Sequence, residues 1–197
     1  MIQVIRVKNE MFSSNTFIVL SKNISFCWLV DIGNVDIVLQ SIPNGKSVKG
    51  VILTHTHFDH IYGINDLLTV FPALEVCTSE YGKESLYSEK KNFSFYHDNP
   101  IVYTGQNVRT FYDGNKIEIF PGVFAHVYET PGHCPSSLTY VIGSFIFTGD
   151  SYIPNNSVVS KLPRGNKRLA QESELRIKEL AIGKNIMPGH GECVFQI

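Results

Sequence analysis

Apolar and polar positions fall into short blocks along this chain, and the period within each block predicts an element. Residues 1–7 alternate in the manner of a strand. Residues 16–20 and 26–30 are compact apolar runs of strand length, the second ending at Asp31-Ile32-Gly33. Asn34 is placed to cap a helix with Val35, Val38, Leu39 and Ile42 on one face. Residues 48–54 carry Val51-Ile52-Leu53, the signature of a strand buried on both faces. Beyond it Ile61, Ile64, Leu67, Leu68 and Phe71 recur at helical spacing until Pro72 stops them.

From 76 to 108 the pattern loosens. Tyr, Phe, Ser and Lys are frequent, one helix is predicted over 79–88, and the remainder reads as a loop-rich insertion. Order then returns. Asp113-Gly114 marks a turn before a strand over 116–120, and a further strand over 123–129 leads to Pro131-Gly132-His133. Residues 138–142 and 145–147 flank Gly143-Ser144 as a hairpin, which ends at Thr148-Gly149-Asp150. Residues 168–182 are helical, with Ala170, Ile177, Leu180 and Ala181 on one side, and 184–187 form a last strand before Pro188-Gly189-His190-Gly191. Strands, helix, strands and helix in that order predict a layered α/β (α+β) arrangement and not a strictly alternating parallel sheet. No repeat, low-complexity tract or linker divides the 197 residues, so a single domain over 1–197 is expected.

Composition narrows the function without naming it. The chain is 43% hydrophobic and 18% charged, ordinary for a globular protein. A net charge of −1 offers no electrostatic case for nucleic acid or an anionic membrane as the main partner. No apolar run approaches the roughly 18 residues of a membrane span, and the N-terminus carries no signal-peptide pattern. Cys27, Cys77, Cys134 and Cys193 are scattered, without a CxxC pair. Together these features predict a cytoplasmic setting.

The chemistry concentrates at Thr54-His55-Thr56-His57-Phe58-Asp59-His60. Imidazole nitrogens and carboxylate oxygens are ligands for zinc and other first-row divalent metals. His55 and His57 are two apart in an extended segment, so both point to one side. Asp59 and His60 lie where the chain turns toward the next helix, and can point to a second metal. The segment sits between a buried strand and an amphipathic helix, which sets it apart from a tag or a surface histidine cluster. Four residues cannot complete two sites of about four ligands each. Of the remaining histidines, His133 and His190 each follow Pro-Gly, and Asp150 follows a strand end with two oxygens able to bridge two ions. His97 and His126 lack such context and read as ordinary histidines. Cys134 and Cys193 neighbour presumed ligands but read as inert thiols.

The order His-X-His-X-Asp-His, Pro-Gly-His, Gly-Asp and Pro-Gly-His-Gly, spread from Asp31 to Gly191, resembles the metallo-β-lactamase superfamily. The resemblance implies a four-layer αβ/βα sandwich with the metals at one edge of its two sheets. It implies one metal on His55, His57 and His133, a second on Asp59, His60 and His190, and Asp150 bridging them. The two divalent ions would be zinc, with iron or manganese as the other candidates. A hydroxide between the metals would attack the substrate, Asp59 would help to orient it, and Asp31 would support the metal loop.

Within that superfamily Thr130-Pro131-Gly132-His133-Cys134-Pro135-Ser136-Ser137 is most similar to the glyoxalase II-like branch, which implies a thioester or related small ester as substrate. The chain departs from full-length glyoxalase II in ending soon after His190 and in lacking a Cys-Gly-Arg loop over 151–168, so the hydrolytic centre is implied and the glutathione thioester is not. Lactonases and phosphodiesterases share the same ligands, and β-lactams fit less well without a leader. A persulfide dioxygenase with one iron, held by two histidines and one aspartate, is the alternative from another reaction class. A non-catalytic metal-binding protein is the third. Phe58, Tyr62, Tyr152, Asn155, Arg164 and Lys167 follow ligands in sequence and are the candidate substrate contacts, with residues 162–167 able to offer positive charge to an anionic group.

Overall fold

The structure is a computed structural model, and it describes residues 1–196. Two sheets face each other. The first has six strands in the order β1 (Ile2–Lys8), β2 (Asn15–Ser21), β3 (Phe26–Val30), β4 (Ser47–Ile52), β5 (Glu75–Thr78) and β6 (Val108–Thr110). The second has five, in the order β11 (Asn185–Pro188), β10 (Phe145–Gly149), β9 (Leu138–Ile142), β8 (Val123–Glu129) and β7 (Lys116–Phe120). In the first sheet β1–β3 are antiparallel hairpin neighbours, whereas β3–β6 run parallel and need crossovers. Helices α1 (Val35–Ser41), α2 (Ile64–Val70) and α3 (Glu80–Leu86) supply those crossovers. Helix α4 (Lys167–Leu180) similarly joins β10 to the parallel β11.

The two-residue period of the strands sorts their side chains into separate cores. In β2, Phe17 and Val19 face the second sheet while Ile18 and Leu20 face the helices. Trp28 and Val30 of β3 and Ile52 of β4 likewise turn inward, and Cys27, Leu29 and Val51 turn outward. The inner core also takes Ile117, Val127, Tyr140 and Phe147 from the second sheet. Val35, Val38, Ile64 and Leu67 cover the first sheet's outer face, and Ile177 and Ala181 meet Val141 and Ile146 on the second's. Helices, sheet, sheet and helix are the four layers that the family resemblance implies.

Most predicted elements fall within a residue or two of their observed bounds. Two local expectations change. Asn34 does occupy the N-cap position of α1, but its side chain does not cap the helix: its Oδ1 accepts from the Glu10 N–H at 2.8 Å and the Tyr62 hydroxyl at 2.5 Å. The 76–108 stretch is also less of an insertion than its pattern predicts. β5 and the three-residue β6 extend the first sheet, and α3 between them is capped by Ser79 Oγ, which accepts from the Gly82 N–H at 3.1 Å. β6 is too short to establish a period, and its partner Val76 lies far away in sequence, so only pairing reveals it. Among the described residues no helix is long and apolar enough to cross a membrane.

Candidate metal centre

β4, β10 and β11 end at the same edge of the sandwich, and the residues just beyond them converge. His55 and His57 follow β4, Asp59 and His60 lie in the single 3-10 turn Phe58–His60, and His133 lies in the β8–β9 loop. Asp150 follows β10 and His190 follows β11. Hydrogen bonds tie the two sheets together at this edge. The Leu138 N–H donates to Thr54 O at 2.7 Å, the Tyr140 hydroxyl to Leu53 O at 2.9 Å, and the Asn15 N–H to Gly189 O at 2.7 Å. Ser14 Oγ also donates to Asp59 O at 2.7 Å. Gly189 itself is dictated by proximity: a Cβ there would stand 2.2 Å from Asp150 Oδ1.

All seven sequence-predicted ligands are brought together. Their ligand atoms form three overlapping groups, each within 4.8 Å: His55, His57 and His133; His55, His60 and Asp150; and Asp59, His60 and His190. The same seven residues had been divided by family resemblance into two triads and a bridge; here Asp150 falls in a group with one histidine from each triad. Its Oδ1 lies 3.5 Å from His60 Nε2, and its Oδ2 lies 3.4 Å from His190 Nε2 and 3.7 Å from His133 Nε2.

The hydrogen bonds around the rings fix which nitrogens are free. His60 Nδ1–H donates to Asp31 Oδ2 at 2.9 Å, His133 Nδ1–H to Val159 O at 2.8 Å, and His190 Nδ1–H to Phe12 O at 3.0 Å. Thr54 Oγ1 donates to Asp31 Oδ2 at 2.7 Å, which leaves it an acceptor for His55 Nδ1–H at 3.2 Å. In the neutral form of each ring the opposite Nε2 carries a lone pair aimed inward. His133 Nε2 and His57 Nδ1 stand 2.9 Å apart, and His60 Nε2 and His190 Nε2 stand 3.2 Å apart. Two nitrogens on one tetrahedral zinc, each bound at about 2.0–2.1 Å, are about 3.4 Å apart. His55 Nε2 and Asp150 Oδ1 are buried without a hydrogen-bond partner. Orphaned acceptors of this kind are costly unless a cation satisfies them, so the donor set fits one or more divalent metals.

Charge follows the same division. Burial, with His60 and His57 alongside, pushes His55 well below the usual imidazole range, and burial with His133 alongside lowers His57 to about 3. Both are therefore neutral. Burial also opposes charge on His60 and His190, but the carboxylates outweigh it: Asp59, Asp150 and Asp31 lift His60 to about 9, and hydrogen bonds with Asp150 and Asp59 lift His190 to about 10. Asp59 is held below its ordinary range, and Asp150 far below its own, by those histidines against the opposing effect of burial. The metal-free centre thus holds protons where a metal would sit. Loading metal at pH 7 is expected to release on the order of one to two protons, with affinity rising as pH rises. Titration calorimetry in buffers of different ionisation enthalpy measures this, and metal binding with no proton release would contradict it.

A cavity of about 550 Å³ opens above the centre, with His57, Asp59, His133, Asp150 and His190 at its floor. Phe58 is the one candidate substrate contact that lines it. The other candidates lie outside the lining. The Tyr62 hydroxyl is held by Asn34, and Tyr152 packs on the α4 side with Lys178 Nζ 5.7 Å from its ring. Asn155 takes a left-handed turn conformation (φ 64°). Arg164 bonds the Tyr81 hydroxyl and stacks over its ring, and Lys167 begins α4 beside a separate polar depression. Conversely, Phe12, Phe93, Tyr96 and His97 line the cavity without having been singled out as contacts. His97 stands outside the ligand groups, as its sequence context predicts, and stacks on Phe58 at 3.8 Å between ring centroids. His126 lies on β8 at mid-strand, and the Cys134 thiol is buried and raised by that burial.

The fold and the clustered ligand set point to one family, and sequence comparison agrees: the sequence model of the metallo-beta-lactamase superfamily matches residues 40–190. The chain belongs to the metallo-β-lactamase superfamily. A hydroxyacylglutathione hydrolase of Enterobacter sp. (strain 638) is 30% identical over 141 residues, which cover 71% of this chain and 48% of that protein. The chain thus matches about half the length of that relative. Among solved structures, the BLEG-1 B3 metallo-beta-lactamase superposes with a TM-score of 0.86 at 20% identity, covering 97% of this chain and 93% of that one. TTHA1623 in a di-iron-bound form superposes with a TM-score of 0.80 at 21% identity, covering 96% and 93%. Together these findings establish the superfamily and its fold, and the clustered side chains could hold metal.

Proposed function

We propose that this protein is a metal-dependent hydrolase of a thioester or related small ester. The single observation that carries the reading is the convergence of seven side chains able to ligate metal, five of which form the floor of one cavity. His55, His57 and His133 would hold one ion, Asp59, His60 and His190 a second, and Asp150 would reach both. A divalent metal supplies Lewis-acid polarisation of a carbonyl and a water acidic enough to ionise near neutral pH. The chain's own groups do the rest. Asp31 fixes the His60 tautomer through Oδ2 and the approach of the metal loop through Oδ1, which accepts the Thr54 N–H at 2.7 Å. Asp59, ionised and open to the cavity, can accept a hydrogen bond from the attacking water and orient it. Phe58 lines the cavity beside these groups. The hydroxyacylglutathione hydrolase relative supports a thioester, and a cavity of this size supports a small molecule as partner.

Zinc fits the histidine-rich donors, and iron stands beside it because one structural neighbour is a di-iron form. Chelation with EDTA is expected to abolish hydrolysis, and zinc, manganese or iron to restore it in step with bound metal. Assays of thioesters, lactones and phosphodiesters on protein of measured metal content test this; chelator-insensitive hydrolysis would overturn the mechanism. A second reading rests on His55, His60 and Asp150, which form a two-histidine, one-carboxylate group suited to mononuclear non-haem iron. One iron per chain with substrate-dependent oxygen uptake would replace the hydrolase by a dioxygenase.

A further inference from the structure

The upper wall of the cavity has a character of its own. Phe12, Phe58, Phe93, Tyr96 and His97 are aromatic, and Val159 and Leu162 continue the same surface. Their rings are packed on one another: Phe12 meets Phe58 at 5.5 Å and His97 at 6.3 Å, both edge-on, and Phe93 lies 4.9 Å from His57. Phe12 (φ 49°) and Phe93 (φ 65°) both hold left-handed backbone conformations, which bulky residues rarely adopt. Two such residues facing the same cavity mark a functional constraint better than a packing one. Exposure points the same way, since Phe12 is 65% exposed and Tyr96 75%, so neither ring is there to fill the core. Phe12 also joins the wall to the metal floor, because its carbonyl oxygen accepts the His190 Nδ1–H.

Charge completes the case. Among the described residues the cavity lining contains no lysine and no arginine, and its ionisable ligands all lie at the floor. An anionic group laid against the wall would lose water and meet no lysine or arginine, only the Tyr96 hydroxyl and the His97 ring as donors. An aromatic or branched apolar group would lose apolar surface to water-free contact and meet the ring edges in favourable geometry.

We propose that this aromatic wall sets specificity, accepting an uncharged aromatic or bulky apolar substituent of the ester and disfavouring multiply charged thiols such as the tripeptide glutathione. The inference rests on the hydrolase reading and names the substrate class for that same site.

The test uses the full-length, metal-loaded protein and four thioesters: phenylacetyl and acetyl esters, each of ethanethiol and of glutathione. The ethanethiol ester of phenylacetic acid is expected to exceed acetyl-glutathione in kcat/KM by about 10- to 200-fold, the range for an apolar group seated in an apolar pocket. Phe12→Ala and Phe93→Ala should each reduce that preference about tenfold, chiefly through KM. Leu175→Ala, an exposed position on α4, should leave it unchanged. Equal or faster turnover of acetyl-glutathione, or a preference that survives both wall substitutions, would overturn the proposal. Should none of the four be hydrolysed, the thioester reading fails, and binding decides the wall separately. Benzyl methyl sulfide, followed by ligand-observed NMR, is then expected to bind more tightly than S-methylglutathione and to lose affinity in both variants. Absent sulfide binding, sulfide binding unaffected by both variants, or tighter binding of S-methylglutathione would refute it.

Discussion

Asp150→Ala is expected to lower hydrolysis by roughly a thousandfold or more, because metal polarisation of the reacting groups is worth several kcal/mol and each 1.4 kcal/mol is about tenfold. Asp150 faces His60 with one oxygen and His133 and His190 with the other, so it is the residue shared between the histidine sets. Its Oδ1 is buried with no hydrogen-bond partner, so it adds nothing to stability through hydrogen bonding and is available to a cation. Metal content should fall along with activity. Asp150→Asn keeps the volume and removes the charge; it should fail to the same degree if charge is what the site uses. Elemental analysis and thioester turnover on both variants check this. Unchanged metal stoichiometry and turnover would remove Asp150 from the centre.

Asp31→Asn should be nearly as severe in metal affinity, although Asp31 belongs to none of the three ligand groups. The carboxylate accepts three bonds: the Thr54 N–H and the Thr54 hydroxyl, both at 2.7 Å, and His60 Nδ1–H at 2.9 Å. An asparagine can keep one oxygen acceptor but turns the other arm into a donor. Placed toward His60 and the Thr54 hydroxyl, that donor meets two more donors. His60 then gains by moving its proton to Nε2, which takes the lone pair away from the metal position. The expected loss is about 10- to 100-fold in metal affinity, the usual effect of removing the group that orients a ligand. In the other orientation the amide nitrogen faces the Thr54 N–H, which loses its acceptor, at about 1–3 kcal/mol for a buried group left unsatisfied. Metal titration and urea denaturation separate the two outcomes. Wild-type affinity and wild-type stability together would refute the orienting role. Asp31 sits at φ 58°, a conformation asparagine tolerates, so backbone strain does not confound the comparison.

Position along the chain is a poor guide to position around a cavity. Arg164 and Lys167 follow Asp150 in a loop and looked suited to an anionic substrate, yet Arg164 turns to Tyr81 and Lys167 starts a helix. Tyr62 lies two residues after His60, and its hydroxyl is taken by Asn34. A loop residue has no period to fix its direction, and hydrogen bonds to remote partners decide it. Phe12, Phe93, Tyr96 and His97 show the converse, reaching the cavity from loops with no chemical motif. The left-handed φ values of Phe12 and Phe93 leave no trace in residue type, since glycine or asparagine would be the expected occupants.

By itself the sequence determined the strands and the main helices, for a physical reason, and its resemblance to a family implied the four layers and the seven candidate ligands. Strand and helix periods are set by local backbone geometry, and His and Asp at strand ends carry their chemistry wherever they sit. Tertiary structure decided how those ligands meet. β4 belongs to one sheet and β10 and β11 to the other, so the 3.2 Å approach of His60 to His190 exists only because the two sheets are bolted at one edge. Packing likewise decided that the short β6 is a strand and that the cavity wall is aromatic and without lysine or arginine among the described residues. Both depend on contacts between segments distant in the chain, which no local pattern encodes.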